Sequence, residues 1–271
     1  MNNDPHPTPP VNLNVQVNLP ASLAKLQIKL QRLVDLPSVG IVGVRKVDES
    51  EYQAGPFKES FQIASDGRVP YPEVKEEFVD WCLKNSFTEA IDCMNAFLEE
   101  CRLLAAMFRL GSGTATVGQW DRIWNEEKSD FHWKGFPQKI KILREEFGIQ
   151  SEFENHVLTL NQARNCLVHR LGAVGSEDIT EDGKLVVKWF AIRMLIIDKI
   201  TGEETPIAEQ EEPTKNESNI VSKIGLFEKR FAIGERVRLS PSELAYTMYT
   251  FYRFARELLQ VVERMIPTLP K

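Results

Sequence analysis

Between Phe153 and Gly172 the apolar residues Phe153, Val157, Leu160, Leu167, Val168 and Leu171 recur at helical spacing, and the pattern stops at the glycine. At about 100° per residue they fall in an arc roughly 100° wide, the stripe that a helix buries. Position 164 sits in the middle of that arc and carries arginine. An arginine there needs an anionic partner, a neighbouring subunit or a water-filled cleft, because burying its charge alone is too costly. The stretch therefore reads as a core-facing helix over 151–171 that breaks its own pattern at one residue.

The rest of the chain supplies what such a helix packs against. Its 271 residues, 42% hydrophobic and 27% charged, suit one large globular domain with extensions. No apolar run reaches the ~20 residues of a membrane span, and Met1 to Pro10 is polar and proline-rich, unlike a secretory signal. Cys82, Cys93, Cys101 and Cys166 form no CxxC pair and read as reduced thiols of a cytoplasmic protein. A net charge of −6 argues against a broad nucleic-acid-binding surface, though not against a local basic cleft.

Along the chain, Val11 to Leu19 alternates apolar residues with Asn and Gln, as a strand or an extended arm would, up to Pro20. Ala21 to Leu36 has helical spacing with Pro37 as its stop, and Ile41–Val47 and Phe61–Ala64 are β-prone. Helices are predicted over 72–84 and 87–110, the second opened by a Ser86/Glu89 capping box and closed by Gly111. Others are predicted near 117–128, at 137–147 and at 151–171. Trp120, Trp124, Phe131 and Trp133 read as core or helix-packing residues, with base stacking as the minor alternative.

Lys184–Asp198 and Phe227–Leu239 are rich in β-branched and aromatic residues and read as β, while acidic 203–218 reads as mobile. Ser240-Pro241-Ser242-Glu243 then starts a last helix with a cap, a proline at the first helical position and a capping-box glutamate. The chain thus reads as mainly α. An N-terminal tail and α/β extension (1–70) precede an antiparallel helical bundle (71–271), which carries a β-rich insertion at about 176–239 before its last helix.

No P-loop, dinucleotide fingerprint, HExxH, GxSxG or EF-hand pattern occurs, and His6, His132, His156 and His169 are too few for a histidine metal site. Neither a metal nor a cofactor is expected.

Arg164-Asn165-Cys166-Leu167-Val168-His169 matches an Arg-x4-His signature with Asn after the Arg, preceded by Ala163 and followed by Gly172. In this it resembles the HEPN superfamily (higher eukaryotes and prokaryotes nucleotide-binding), and the long helix pair before it and closing helix after it extend the likeness over roughly 72–271. The resemblance implies a four- to five-helix bundle that dimerises by facing its motif helix to that of a second copy. It also implies a metal-independent endoribonuclease of the toxin–antitoxin or antiviral type, with RNA as substrate and a cognate antitoxin as partner. The alternative is a non-catalytic module that dimerises and binds a nucleotide or protein.

The residue types suit that chemistry. His169 can exchange a proton near neutral pH as general acid/base. Arg164 presents a planar fork to a phosphate and to the charge that develops on it, and Asn165 can orient the histidine or bond the RNA backbone. Residues five apart on a helix differ by about 140°, whereas Asn165 and His169, four apart, share a face. Either the helix loosens before Gly172, or two subunits meet to complete the site. Glu89, Asp92, Glu99 and Glu100 are candidate partners for Arg164, with Asp92 and Glu99 fitting as well as any. The structural readings are an ion pair for Arg164 and a helix-dipole contact for His169; Arg170 reads as solvent-facing or a second phosphate contact, and His156 as structural.

Overall fold

The structure is a computed structural model that describes residues 18–54, 69–109, 116–126, 130–207 and 216–266. It is mainly α. The described elements are α1 (Leu19–Lys46), α2 (Glu49–Ala54), α3 (Tyr71–Arg109), α4 (Val117–Glu126), α5 (Phe136–Phe147), α6 (Glu154–His169), β1 (Leu185–Asp198), β2 (Glu204–Pro206), β3 (Ser218–Phe231) and α7 (Pro241–Arg264). Residues 11–17 of the expected strand, Phe61–Ala64, Gly111 and the side chains of Trp120 and Trp124 lie outside the described residues. Among the described residues, no helix is long and apolar enough to cross a membrane.

Two expected helix stops are overridden. α1 runs through Pro37 to Lys46, so Ile41 and its neighbours are helical rather than β. A mid-helix proline removes one N–H and crowds a carbonyl. Here Leu30, Leu33 and Ile41 are buried on either side of it, and Ser38 Oγ donates to the Val34 carbonyl at 2.7 Å. At the other end, Asn18 caps the helix by accepting the Ala21 N–H at 3.0 Å, which replaces the expected strand end at Leu19.

α3 is likewise one helix where two were expected. Ser86 is no cap, since it is buried mid-helix beside the fully buried Phe87 and Ala90. The polar residues nearby stay helical by donating backwards: Asn85 Nδ2 to the Trp81 carbonyl (2.7 Å) and Thr88 Oγ1 to the Lys84 carbonyl (2.9 Å).

The chain divides into two compact units. The first comprises the described parts of Met1–Ile28, Asp92–Glu154 and Arg253–Lys271. Its buried residues include Met94, Leu98, Cys101, Ile140, Leu143, Phe153, Phe254 and Val262. Lys139, only 3% exposed, is neutralised by Glu99 at 2.5 Å, and Glu99 also takes His132 at 3.2 Å. Glu100 accepts from Ser22. α5 closes on Gly148 at φ 69°, where the Gly148 and Ile149 N–H groups return to the Arg144 and Leu143 carbonyls. Phe131 is buried as expected, but Trp133 is 79% exposed and is not a core residue.

The second unit comprises the described parts of Lys29–Ile91 and Asn155–Tyr252 and contains the sheet. Strand order is β2-β1-β3, all antiparallel. β1 and β3 pair without a bulge from Leu185↔Phe231 to Asp198↔Ser218, so β3 begins well before the expected Phe227. The segment expected to be mobile contributes β2, paired to Leu195–Ile197. The far edge of β1 is finished by threonines: Lys188 N–H donates to Thr159 of α6 (3.0 Å), and Phe190 N–H to Thr250 of α7 (2.9 Å). α7 starts on the expected capping box: Glu243 accepts the Ser240 N–H at 2.7 Å, and Ser240 Oγ accepts the Glu243 N–H at 3.2 Å.

Candidate functional site

The motif helix is regular from Glu154 to His169. Of the two alternatives, a helix loosened before Gly172 is not found within the motif, and the helix stops just after it. Leu171 takes φ 53° and Gly172 φ 86°. The Gly172 N–H returns to the Cys166 carbonyl at 3.1 Å, six residues back, and so closes the end of the helix. An added Cβ on Gly172 would lie 3.3 Å from the Leu167 side chain, a tight contact on top of the left-handed φ that favours glycine.

Burial departs from the simple stripe. Val157, Thr159, Leu160, Asn161, Ala163, Cys166 and Leu167 are buried, while Val168 and Leu171, expected inside, are 37% and 77% exposed. The sunken arc is wider than a one-sided amphipathic stripe because Thr159, Ala163 and Cys166 are covered on a second side. Arg164 is half-buried, with its Nε shielded from solvent, and it is engaged within the protein. Asn165 is half-buried and His169 exposed. Neither side chain makes a hydrogen bond among the described residues. At about 100° per residue the straight helix sets Asn165 and His169 on one face and Arg164 about 140° from the histidine. The structure thus brings two of the three residues together within one chain and leaves the third on another side of the helix.

Of the carboxylates considered for Arg164, Glu99 is held by Lys139 and His132, and Glu100 by Ser22. The His156 ring packs at a tilt against Phe190, ring centres 4.6 Å apart, in keeping with a structural role.

Arg170 is neither solvent-facing nor available to a phosphate. Its Nε donates to Asp178 Oδ2 at 2.7 Å, and its Nη2 to Oδ1 of the same, fully buried carboxylate. Glu177 adds a second ion pair at 3.2 Å. Asp178 Oδ2 also accepts the Gly175 N–H at 2.9 Å, so one carboxylate fixes both the arginine and the loop after the helix. The hydrogen bonds that Arg170 donates to Asp178 hold the guanidinium firmly in its charged form. No local spacing signal marked Asp178, which sits in a run of acidic and small residues.

Cys166 lies beneath this turn, its Sγ donating to the Ala173 carbonyl at 3.3 Å. Burial, and then the negative charge of Asp178, push its thiol up from 9.0 to about 11, so it is no nucleophile at neutral pH. All four cysteines are free thiols. Among the described residues, no three His, Cys, Asp or Glu side chains gather as metal ligands would.

A cavity of about 1120 Å³ opens at this end of α6, with Leu167 and Leu171 in its wall. The buried Phe87 and Val237 and the exposed Trp81 add apolar surface, while Arg45, Lys84, Arg236 and Arg238 supply cations. Acidic residues of α3 offset them, and Arg238 pairs with Asp80 at 3.3 Å. The Arg236-Val237-Arg238 alternation was the legible sign of this basic wall. No protein-family model, curated protein or solved structure matches the chain.

Proposed function

We propose that the chain is a metal-independent endoribonuclease of HEPN type whose site is completed by a second copy. One observation carries the reading: a regular α6 presents His169 to solvent with Asn165 a turn behind it on the same face, and neither is bound to another described residue. That leaves the ring open to a substrate.

In this reading His169 takes the proton of the RNA 2′-hydroxyl. The 2′-oxygen attacks the adjacent phosphorus, the P–O5′ bond breaks, and the leaving 5′-oxygen takes a proton from solvent, giving a 2′,3′-cyclic phosphate and a 5′-hydroxyl. The extra negative charge on the phosphate oxygens is met by Arg164, which belongs to the motif but not to the His169 face. A two-fold arrangement of motif helices supplies the arginine from the facing copy. The cavity at the same helix end, with Arg45 and Arg236 in its wall, offers phosphate contacts on the approach.

The test is cleavage of RNA by the purified protein in excess chelator, with products analysed for the cyclic phosphate. Activity lost in both His169→Ala and Arg164→Ala supports the reading. No cleavage of any RNA, or undiminished cleavage by His169→Ala, would sink it. Mixing the two inactive variants tests the composite site, since a heterodimer that regains activity has one intact half-site. In cells, expression should arrest growth and either substitution should relieve the arrest, as for a toxin.

A second reading, a non-catalytic HEPN-like module that dimerises and binds a protein or nucleotide, is favoured by an apolar sheet face left open to solvent over Ile192, Met194 and Ile224.

A further inference from the structure

In an antiparallel sheet with one face on a core and one in water, the wet face is ordinarily polar. The β1–β3 ribbon breaks that rule. Its odd-numbered β1 residues Trp189, Ala191 and Leu195 are buried. The opposite face carries the cross-strand pairs Phe190↔Leu226, Ile192↔Ile224, Met194↔Ser222 and Ile196↔Ile220. Seven of those eight side chains are apolar, one is a serine, and none is charged. Ile192, Met194, Ile220, Ile224 and Leu226 are 39%, 47%, 66%, 51% and 53% exposed.

Those fractions leave roughly 400–500 Å² of apolar surface in one patch, near the top of the ~300–600 Å² that a typical monomer exposes. The patch is continuous as well as apolar, because the register runs without a bulge from end to end. We infer that this face is covered by the same face of a second copy, the two ribbons stacking as a sheet-on-sheet interface.

Three features choose a second copy over another occupant. The eight-residue grid offers no charge for a charged partner to read, so complementarity must come from shape and apolar contact. A twisted ribbon is matched in twist by a second copy of itself, and stacked sheets interdigitate their side chains at about 10 Å. The same patch on both partners closes about a two-fold axis and does not propagate. Two copies remove about 800–1,000 Å² of apolar area, and with the polar rim the total reaches the ~1,000 Å² that a specific interface should clear. This inference does not rest on the ribonuclease reading: the ribbon meets α6 through Phe190 against His156 and the Lys188 N–H bond to Thr159, in the half of the helix away from His169.

The experiment is sedimentation equilibrium of the full chain and of two variants, Ile224→Lys and Met194→Glu, with circular dichroism to verify folding. Both residues are about half-exposed, so either charge is tolerated by a single folded chain. The wild type should sediment as at least two 31.0 kDa chains, and each substitution should halve that mass and weaken association at least 100-fold. A wild type of single-chain mass at ~100 µM overturns the inference. So does a multimer whose mass neither substitution changes, because that assembly is held elsewhere; RNA cleavage retained in such a protein would leave the ribonuclease reading standing. A single chain that floats with phosphatidylcholine vesicles, and loses flotation in Ile224→Lys, also overturns it by assigning the face to a lipid surface.

Discussion

Arg164 and Arg170 belong to the same short stretch, yet the protein uses them oppositely. Arg170 lies just beyond the helix and is clamped by a buried carboxylate that also holds the following loop. Arg164 lies within the helix, half-buried on a different side from the face that carries Asn165 and His169. The cation nearest His169 in sequence is therefore committed to the fold, and the open face next to it is the part with no structural partner. A motif read as one string separates in space into a structural end and a reactive face.

The sharpest way to break this comparison is to remove a group from each side and ask which property moves. His169→Ala should lower RNA cleavage by about 10²–10⁴-fold, the usual worth of a positioned acid/base. It should leave stability within about 0.5 kcal/mol, as for an exposed residue with no partner. Asp178→Ala should do the reverse. Stranding Arg170 beside a partly buried gap, and freeing the Gly175 N–H, should cost about 3–5 kcal/mol of stability. A urea midpoint for both variants beside their cleavage rates is the check. A His169→Ala protein that unfolds as readily as Asp178→Ala would erase the distinction between the two regions.

The thiol under the turn reports on the same structural end. Cys166 is raised from 9.0 to about 11 by burial and by Asp178, so the folded state favours its neutral form. A group raised in this way contributes stability that is complete below its unfolded value and lost as pH rises through the folded one. Urea stability should therefore fall between pH 9 and about 11, with a shallower fall in Cys166→Ala. Alkylation of Cys166 at pH 8 should be slow in the wild type and fast in Asp178→Ala, where the turn opens. Equal rates would show that Asp178 does not hold the turn closed.

What the sequence disclosed depended on whether a signal was local. The Ser240/Glu243 box is a true helix start because Pro241 follows the cap and nothing helical precedes it. The identical Ser86/Glu89 spacing is not, because Phe87 and Ala90 are wanted in a core that only the folded chain reveals. Pro37 failed as a stop for the same reason. β1 was legible from its run of β-branched residues, whereas most of β3 was hidden by its mixture of lysine, serine and glycine and owes its strand to pairing with β1. Of the candidate site, the motif and the shared face of Asn165 and His169 followed from spacing. The role of Arg170 did not, since its partner Asp178 lies beyond the helix in a loop whose course no periodicity gives.

The smallest expected effect lies between the two regions, at Leu171. Its φ of 53° puts a leucine in the left-handed conformation that a helix closure normally assigns to glycine. For a non-glycine residue that costs about 1 kcal/mol. The side chain is 77% exposed, so it gains little from burial in return. Leu171→Gly relieves the strain but loosens the unfolded chain, and the two nearly cancel, leaving a net gain of roughly 0.5 kcal/mol. Its cleavage rate should stay within about twofold of wild type if Leu171 is only a hinge between the clamped turn and the reactive face. A stability loss above about 1 kcal/mol, or a rate loss above tenfold, would mean instead that the exposed leucine is held out for a purpose, as a contact to substrate or to the second copy at the mouth of the cavity it helps to line.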